Sequence, residues 1–351
     1  MDTSFYYFDN AAASRPDPRV LDFYRKTLIG NFANQEAIHD EGYRMRRLLD
    51  KAAAELSIAL CGKKRLVVWG NSGSELFNLF ADSPVCSGRH VICSKLEHPA
   101  LAANLRRNAA KLELQENTAS GRVKVPENDA ELLALHHVQS ELGTIQEFPA
   151  FSGTVFCDAI QSAGKFPLPD TPDILAVSGH KFGSPGGAAL LIKPSWKGAG
   201  EFLEFAHNYR HTAYRCGRPE IPVLLAMTEA AKIAAGERED NLRHISEMNA
   251  LLRESFPATI PAEQASAYIL HLNFPGFQSG VLVRMLATEG FMTAAGSACA
   301  SETREPSAAM QAIGFSKKEA FSGLRISFGP QNTLDETKKL KEALARVLKN
   351  Y

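Results

Sequence analysis

Over its first two thirds the chain alternates short apolar runs with longer stretches in which apolar residues recur at helical spacing. Residues 17–30 and 41–60 carry the helical pattern, the second closed by the stop signal Gly62. The run 66–69 then predicts a strand, and 74–81 a helix start behind Asn71, Ser72 and Gly73. Residues 90–93 predict a strand, and 99–111 a helix with proline in its first turn. Further strands are predicted at 112–115, 132–138, 154–157, 174–177 and 188–192. Several are unbroken apolar runs, the mark of strands buried on both faces of a parallel sheet. Strand–helix alternation of this kind predicts an α/β layer architecture. After Pro222 the texture changes. Helices at 223–238 and 242–255 are followed by a strand at 267–274, a helix at 280–290 and a strand at 291–294. A helix at 306–313, a strand at 324–328 and a helix at 334–348 complete a smaller α+β unit. The expected division is a large domain over 13–229 and a small one made of 1–12 and 230–351, meeting near Ala230 in or beside a connecting helix.

Composition narrows the class. With 351 residues the chain suits about two domains and a full hydrophobic core. Lys plus Arg (39) equals Asp plus Glu (39), so the basic excess of a nucleic-acid or membrane-surface binder is missing, and neither partner is expected. No apolar run approaches the roughly 18 residues needed to span a bilayer, and the start, MDTSFYYFDN, has no signal-peptide core. The six cysteines (61, 86, 93, 157, 216 and 299) form no CxxC pair, which predicts free thiols in a reducing compartment and no cysteine-based zinc site. The expectation is a cytoplasmic enzyme without a bound metal.

Two strand ends carry candidate chemistry. The run VFCDAIQ ends in Asp158 with Gln161 just beyond, and DILAVSGHKFGSPGG runs into Ser178, Gly179, His180 and Lys181 before a glycine-rich loop. Loops at the carboxyl ends of parallel strands are where such sheets bind ligands. Lysine can form a Schiff base with an aldehyde cofactor, and aspartate can hold a pyridine nitrogen protonated. The Gly/Ser turn at 71–75 offers backbone N–H groups and a hydroxyl to a phosphate. Together these parts describe a site for pyridoxal 5'-phosphate. Singly, an aspartate at a strand end is a common cap and an HK pair a common surface feature. His136 and His137, on an apolar run, read as one core and one hydrogen-bonded residue rather than metal ligands.

The order of these segments resembles the cysteine desulfurases of the class V (fold type I) pyridoxal-phosphate enzymes, nearly end to end. The matching stretches are YYFDNAAASRPDPRV (6–20), SKLEHPA (94–100), HVQSELGTIQ (137–146), VFCDAIQSAGK (155–165), SGHK (178–181), GSACASETREP (296–306) and LRISFGPQNTLDE (324–336). The resemblance implies the fold type I architecture: a large domain with a mostly parallel central sheet flanked by helices, plus a smaller α+β domain. It implies that Lys181 carries the Schiff base and moves protons once released. Asp158 would hold the ring nitrogen and Gln161 the ring's phenolic oxygen. His98 would stack on the ring and take part in proton transfer. Gly73, Ser74, Ser178 and His180 would hold the phosphate, Arg325 the substrate carboxylate, and Asn34 would lie on a substrate-binding segment. Cys299, in GSAC, would attack the substrate sulfur as a thiolate and pass it on as a persulfide.

Three departures stand out. The family's paired asparagines before E-[IL]-G are Gln139 and Ser140, and Ser140 shortens a contact that normally reaches both cofactor and substrate. The glycine-rich segment is replaced by AHNYRHT (206–212), which puts Tyr209, Arg210 and His211 near the expected site or at a dimer interface. The R-S-G-T motif reads Arg215–Cys216–Gly217–Arg218, so Arg218 stands where a threonine reaches the neighbouring subunit's cofactor phosphate. The resemblance implies a homodimer that removes sulfur from L-cysteine to give L-alanine and hands it to an acceptor protein. Two other readings stay open. One is a class V aminotransferase or lyase on another amino acid, selenocysteine among them; the other is a non-catalytic homologue.

Overall fold

The computed structural model describes residues 5–126, 129–209, 219–296 and 305–351. Cys299, Arg210, His211 and Arg218 lie outside them. In chain order the elements are β1 (Tyr6–Tyr7), α1 (Pro18–Gly30), α2 (Asp40–Cys61), β2 (Leu66–Gly70), α3 (Gly73–Asp82), β3 (His90–Ser94), α4 (Pro99–Asn108), β4 (Lys111–Gln115) and β5 (Leu132–His136). There follow β6 (Thr154–Asp158), β7 (Ile174–Ser178), β8 (Ala188–Ile192), α5 (Ala199–Tyr209), α6 (Ile221–Gly236) and α7 (Arg238–Arg253). The remaining elements are β9 (Ile269–Asn273), α8 (Ser279–Thr288), β10 (Phe291–Met292), α9 (Ala308–Ala312), β11 (Gly323–Ser327) and α10 (Leu334–Lys349).

Seven strands form one sheet in the order β2-β8-β7-β6-β5-β3-β4. It is parallel except for β8, which runs antiparallel to both β2 and β7. Every residue of β5, β7 and β8 is buried, and the two faces explain why those runs are unbroken. Ala176 and Leu190 face one core with Phe77, Phe80 and Phe156, under α3, α4 and α5. Their neighbours Leu175 and Leu191 face another with Met45, Leu56 and Met227, under α2 and α6. Phe80 and Phe156 stack at 3.9 Å between ring centroids.

Local chemistry sets the ends. Ser72 caps α3 by accepting from the Glu75 amide, and Gly62 closes α2 in the left-handed region at φ 71°. The strand expected over 132–138 stops at His136, because Val138 leaves the sheet to pair with Ile145. The helix expected over 99–111 stops at Asn108, because Lys111 already pairs with His90 in the sheet. Helix α5 has no counterpart in the pattern reading.

A second unit packs α7, α8 and α10 against the antiparallel pair β9–β11, around Phe8, Leu270, Leu286, Ile326 and Leu344. The N-terminal arm joins it: β1 pairs in parallel with β10, and Asn10 Nδ2 donates to the Ser327 carbonyl. The arm then crosses to the large sheet, where the Ser14 amide donates to the His180 carbonyl. Among the described residues no helix is long and apolar enough to cross a membrane, and no cluster of metal-ligating side chains occurs.

Candidate active site

The carboxyl ends of β5 and β6, the turn after β7 and the first turns of α3 and α4 converge on a cavity of about 250 Å3. This is the crevice where open parallel sheets bind ligands. Asp158 and Lys181 both border it. Asp158 is the last residue of β6, and its Oδ1 accepts from the Ile160 amide at 2.9 Å. Burial and then Glu97 raise its pKa, the Ile160 N–H, His136 and Lys181 lower it, and it stands up at about 7. Lys181 closes a single turn after β7, and its Nζ donates to the Ala11 carbonyl at 2.9 Å and to that of Ala12. Lys181 also borders a second cavity, of about 390 Å3, with Lys165, Tyr268 and Arg15.

Gly73 and Ser74 open α3 and border the first cavity. The first amides of a helix have no partner within it, which makes this end a cradle for an anion. A Cβ on Gly73 would come within 2.3 Å of Ile160 Cδ1, so a side chain here would displace the end of Ile160, which borders the same cavity. His180 borders the cavity, and its Nδ1 lies 2.9 Å from Ser178 Oγ, which stands behind it. Burial, then Lys181 and Lys165, push the His180 pKa down to about 4, so the ring is neutral.

His98 caps α4 through Nδ1, which accepts from the Ala100 amide at 3.2 Å. That bond assigns the neutral ring's proton to Nε2. Burial, then Lys181, lower its pKa. Gln161 donates through Nε2 to the Ala11 carbonyl at 2.8 Å and accepts from Lys165 Nζ at 3.4 Å. Ser140 borders the cavity. Its neighbour Gln139 also borders the cavity, and its Oε1 accepts from the Glu141 and Leu142 amides of its own turn at 2.7 and 2.5 Å.

Arg325, on β11, reaches the cavity from the smaller unit. Nη1 donates to the Ser140 carbonyl at 3.0 Å, and Nη2 pairs with Asp9 at 2.6 Å. Nε is buried without a hydrogen-bond partner among the described residues. Asn34 is not brought to the cavity. It is exposed, and its Oδ1 accepts from the Glu36 amide, because the chain after α1 runs along the surface here. Tyr209 is buried on α5, with its hydroxyl donating to Asp82 at 2.7 Å, and does not border the cavity.

The sequence reading left three groups without a site role. Asp9 pairs with Arg325. Lys165 is buried beside Gln161, and burial, then Lys181 and Arg325, push its pKa down to about 7. His136 and Glu97 form a buried pair at 2.8 Å. The position of Glu97, next to His98, was the available signal for that pair. His137, by contrast, packs edge-on against Phe148.

Known proteins share this architecture. The cysteine desulfurase IscS of Shewanella denitrificans is 29% identical over 94% of this chain and 89% of its own length. Cysteine desulfurase IscS 1 of Archaeoglobus fulgidus is 25% identical over 97% and 96%. A solved NifS-like protein superposes with a TM-score of 0.83 over 99% of this chain and all of that one (100%), at 21% identity, a likeness of fold. The family model described as aminotransferase class-V matches residues 6–340, and the chain therefore belongs to the class-V aminotransferases, a family of pyridoxal-phosphate enzymes.

Proposed function

We propose that this protein is a cysteine desulfurase, converting L-cysteine to L-alanine and leaving the sulfur as a persulfide on Cys299. The observation that carries the reading is that Asp158 and Lys181 border one cavity, with the first turn of α3 at its edge. The relatives named as cysteine desulfurases support it along nearly the whole chain.

The donor set fits pyridoxal 5'-phosphate. A cradle that a Cβ on Gly73 would fill suits a phosphate, backed by Ser74 and by His180 on Ser178. Asp158 suits a ring nitrogen, Gln161 a phenolic oxygen and Lys181 an aldehyde carbon. When bound, this cofactor supplies an electron-withdrawing ring that takes up the electron pair left on the substrate's α-carbon. Lys181 Nζ holds and returns the proton of that carbon, and His98 Nε2 is the second proton carrier. Arg325 binds the substrate carboxylate with a fork that Asp9 already orients. Ser140 leaves more room than an asparagine at the substrate's side.

The sulfur step balances without an outside oxidant. A bond forms between the Cys299 sulfur and the substrate sulfur as the substrate's carbon–sulfur bond breaks. The electron pair of the broken bond stays with carbon, which takes a proton to become alanine's methyl group, and both sulfurs end as persulfide. Beyond the Cys299 segment, Ser307 donates through Oγ to the Glu141 carboxylate.

We also propose a homodimer. Ile29, Phe32 and Ile38 are 80%, 69% and 87% exposed, with Leu28 and Tyr43 beside them in sequence, an apolar surface suited to a second copy. The persulfide would pass to an acceptor protein in a reducing compartment, in keeping with the free thiols Cys61, Cys86, Cys93 and Cys157.

Purified protein given pyridoxal phosphate and L-cysteine should form alanine and protein-bound persulfide in equal amounts. Cys299→Ser should keep the cofactor absorbance and lose the persulfide. Turnover of other amino acids that survives Cys299→Ser would replace this reading with an aminotransferase or lyase.

A further inference from the structure

His136, which borders the cavity, forms a buried hydrogen-bonded pair with Glu97 that none of the roles above uses. His136 ends β5 and is the register partner of Asp158, which ends β6 in the adjacent parallel strand. Register partners in a ladder present their side chains to the same face, and both residues border the cavity. Glu97 reaches over from the loop before α4. Its Oε1 accepts twice from the same residue, from the His136 amide at 3.1 Å and from Nδ1 at 2.8 Å. This double grip fixes the ring and commits Nδ1 as a donor. Nε2 is buried and has no hydrogen-bond partner among the described residues. The His136 side chain is 4% exposed and that of Glu97 0%. An imidazolium in such a place is compensated by the Glu97 carboxylate on Nδ1 and by the charge of Asp158 on the adjacent strand.

We propose that His136, gripped by Glu97, is a positioning residue whose positive charge keeps Asp158 ionised and so keeps the ring nitrogen of the cofactor protonated. The inference rests on the pyridoxal-phosphate reading above. The groups around Asp158 make the need plain. Burial and then Glu97 raise the Asp158 pKa, and even with every opposing group in place it stands up at about 7. The Ile160 N–H, His136 and Lys181 act in the opposite direction. Of the two cations, Lys181 is committed to the cofactor's aldehyde, so His136 is the one that stays beside Asp158. Burial pulls the His136 pKa down, but Glu97, by charge and hydrogen bond, and then Asp158 outweigh it, so the ring is more basic than usual. His98, Arg325 and His180 also border the cavity, and the test separates His136 from them by substitution at His136 alone.

The test uses the full chain loaded with pyridoxal phosphate isotopically labelled at its ring nitrogen, read by NMR across a pH series. The wild-type protein should hold that nitrogen protonated through neutral pH. His136→Met, which keeps bulk and removes charge, should lower the midpoint of its deprotonation by at least about one pH unit, a tenfold change in proton affinity. His136→Gln, which keeps hydrogen bonding without charge, should do the same, and it serves as the readout if the methionine variant does not fold. An unchanged nitrogen signal in either folded variant overturns the proposal and leaves His136 a packing residue. Borohydride reduction of the wild-type protein separates the two levels. Failure to fix the cofactor on Lys181 sinks the pyridoxal-phosphate reading itself, whereas fixation with no effect of His136 sinks only this inference.

Discussion

At the scale of single residues, the site's logic lies in close contacts between its lining groups. Gly73 and Ile160 illustrate it. The Gly73 backbone passes so close to Ile160 that a methyl group would overlap Cδ1 at 2.3 Å, although Cγ1 lies at 3.6 Å. Gly73→Ala should therefore weaken cofactor affinity by displacing the Ile160 side chain, which borders the same cavity. Ile160→Val removes the offending Cδ1, so the double variant should recover most of the loss. Equilibrium binding of pyridoxal phosphate to the four proteins of this cycle tests it, and independent, additive effects would refute the contact. The sequence displayed residues of this kind well, because Asp158, Gln161, Lys181 and Gly73 sit in short contiguous motifs that end predicted strands or open a helix. It hid the partnerships. Glu97 meets His136 only because β3 and β5 are neighbours, and Asp9 meets Arg325 only because the N-terminal arm bridges to β11. Asn34 shows the reverse failure, since a motif match placed it at the site while the fold carries it along the surface.

At the scale of elements, the strand runs were legible because both sheet faces are covered, which removes polar positions from β5, β7 and β8. Direction was not legible. An apolar run such as 188–192 reads the same whether its neighbours run parallel or not, and only the connection to β7 makes β8 antiparallel. Helix α5 was missed because Gly198 and Gly200 mark its start as a turn, yet Phe202, Ala206 and Tyr209 still bury one face. The pair β9–β11 carries a pH dependence of its own. His271 on β9 is the register partner of Arg325, is fully buried, and shares a 2.7 Å hydrogen bond between Nδ1 and Thr259 Oγ1. Burial, then Arg325, push its pKa down to about 3. Its unfolded value is near 6.5, so the unfolded chain binds the extra proton first as pH falls. The stability held by a neutral His271 is complete above about 6.5 and lost progressively toward 3. His271→Asn should flatten the fall in unfolding free energy across that window by about 1.4 kcal/mol per pH unit. Urea unfolding of the cofactor-free protein at several pH values measures it, and an unchanged slope would rule the assignment out.

At the scale of the whole molecule, the cavity belongs to no single unit. The large sheet supplies Asp158, Lys181 and the α3 cradle, the smaller unit supplies Arg325, and the N-terminal arm ties the two together through Asn10, Ser14 and the Ala11 carbonyl. Sequence order alone could suggest this closure only through resemblance, because the joining contacts link residues about as far apart as the chain allows, such as Asn10 with Ser327. The same reasoning extends to a second copy. Ile29, Phe32 and Ile38 are exposed in one short stretch around the end of α1 and the start of α2, whereas α1 and α2 otherwise bury their apolar faces against α6. A lone chain gains nothing from three large apolar side chains in water, and covering them would contribute about 1.5–3 kcal/mol each at full burial. Two copies of Phe32→Asp/Ile38→Asp would set four carboxylates against a dry interface, a cost that such a gain cannot offset. The wild-type protein should elute as a dimer in size-exclusion chromatography with light scattering, and the double variant as a folded monomer with an unchanged far-ultraviolet spectrum. A wild-type monomer would refute the homodimer, and a variant that still pairs would place the subunit contact elsewhere and leave this stretch free to meet a different partner.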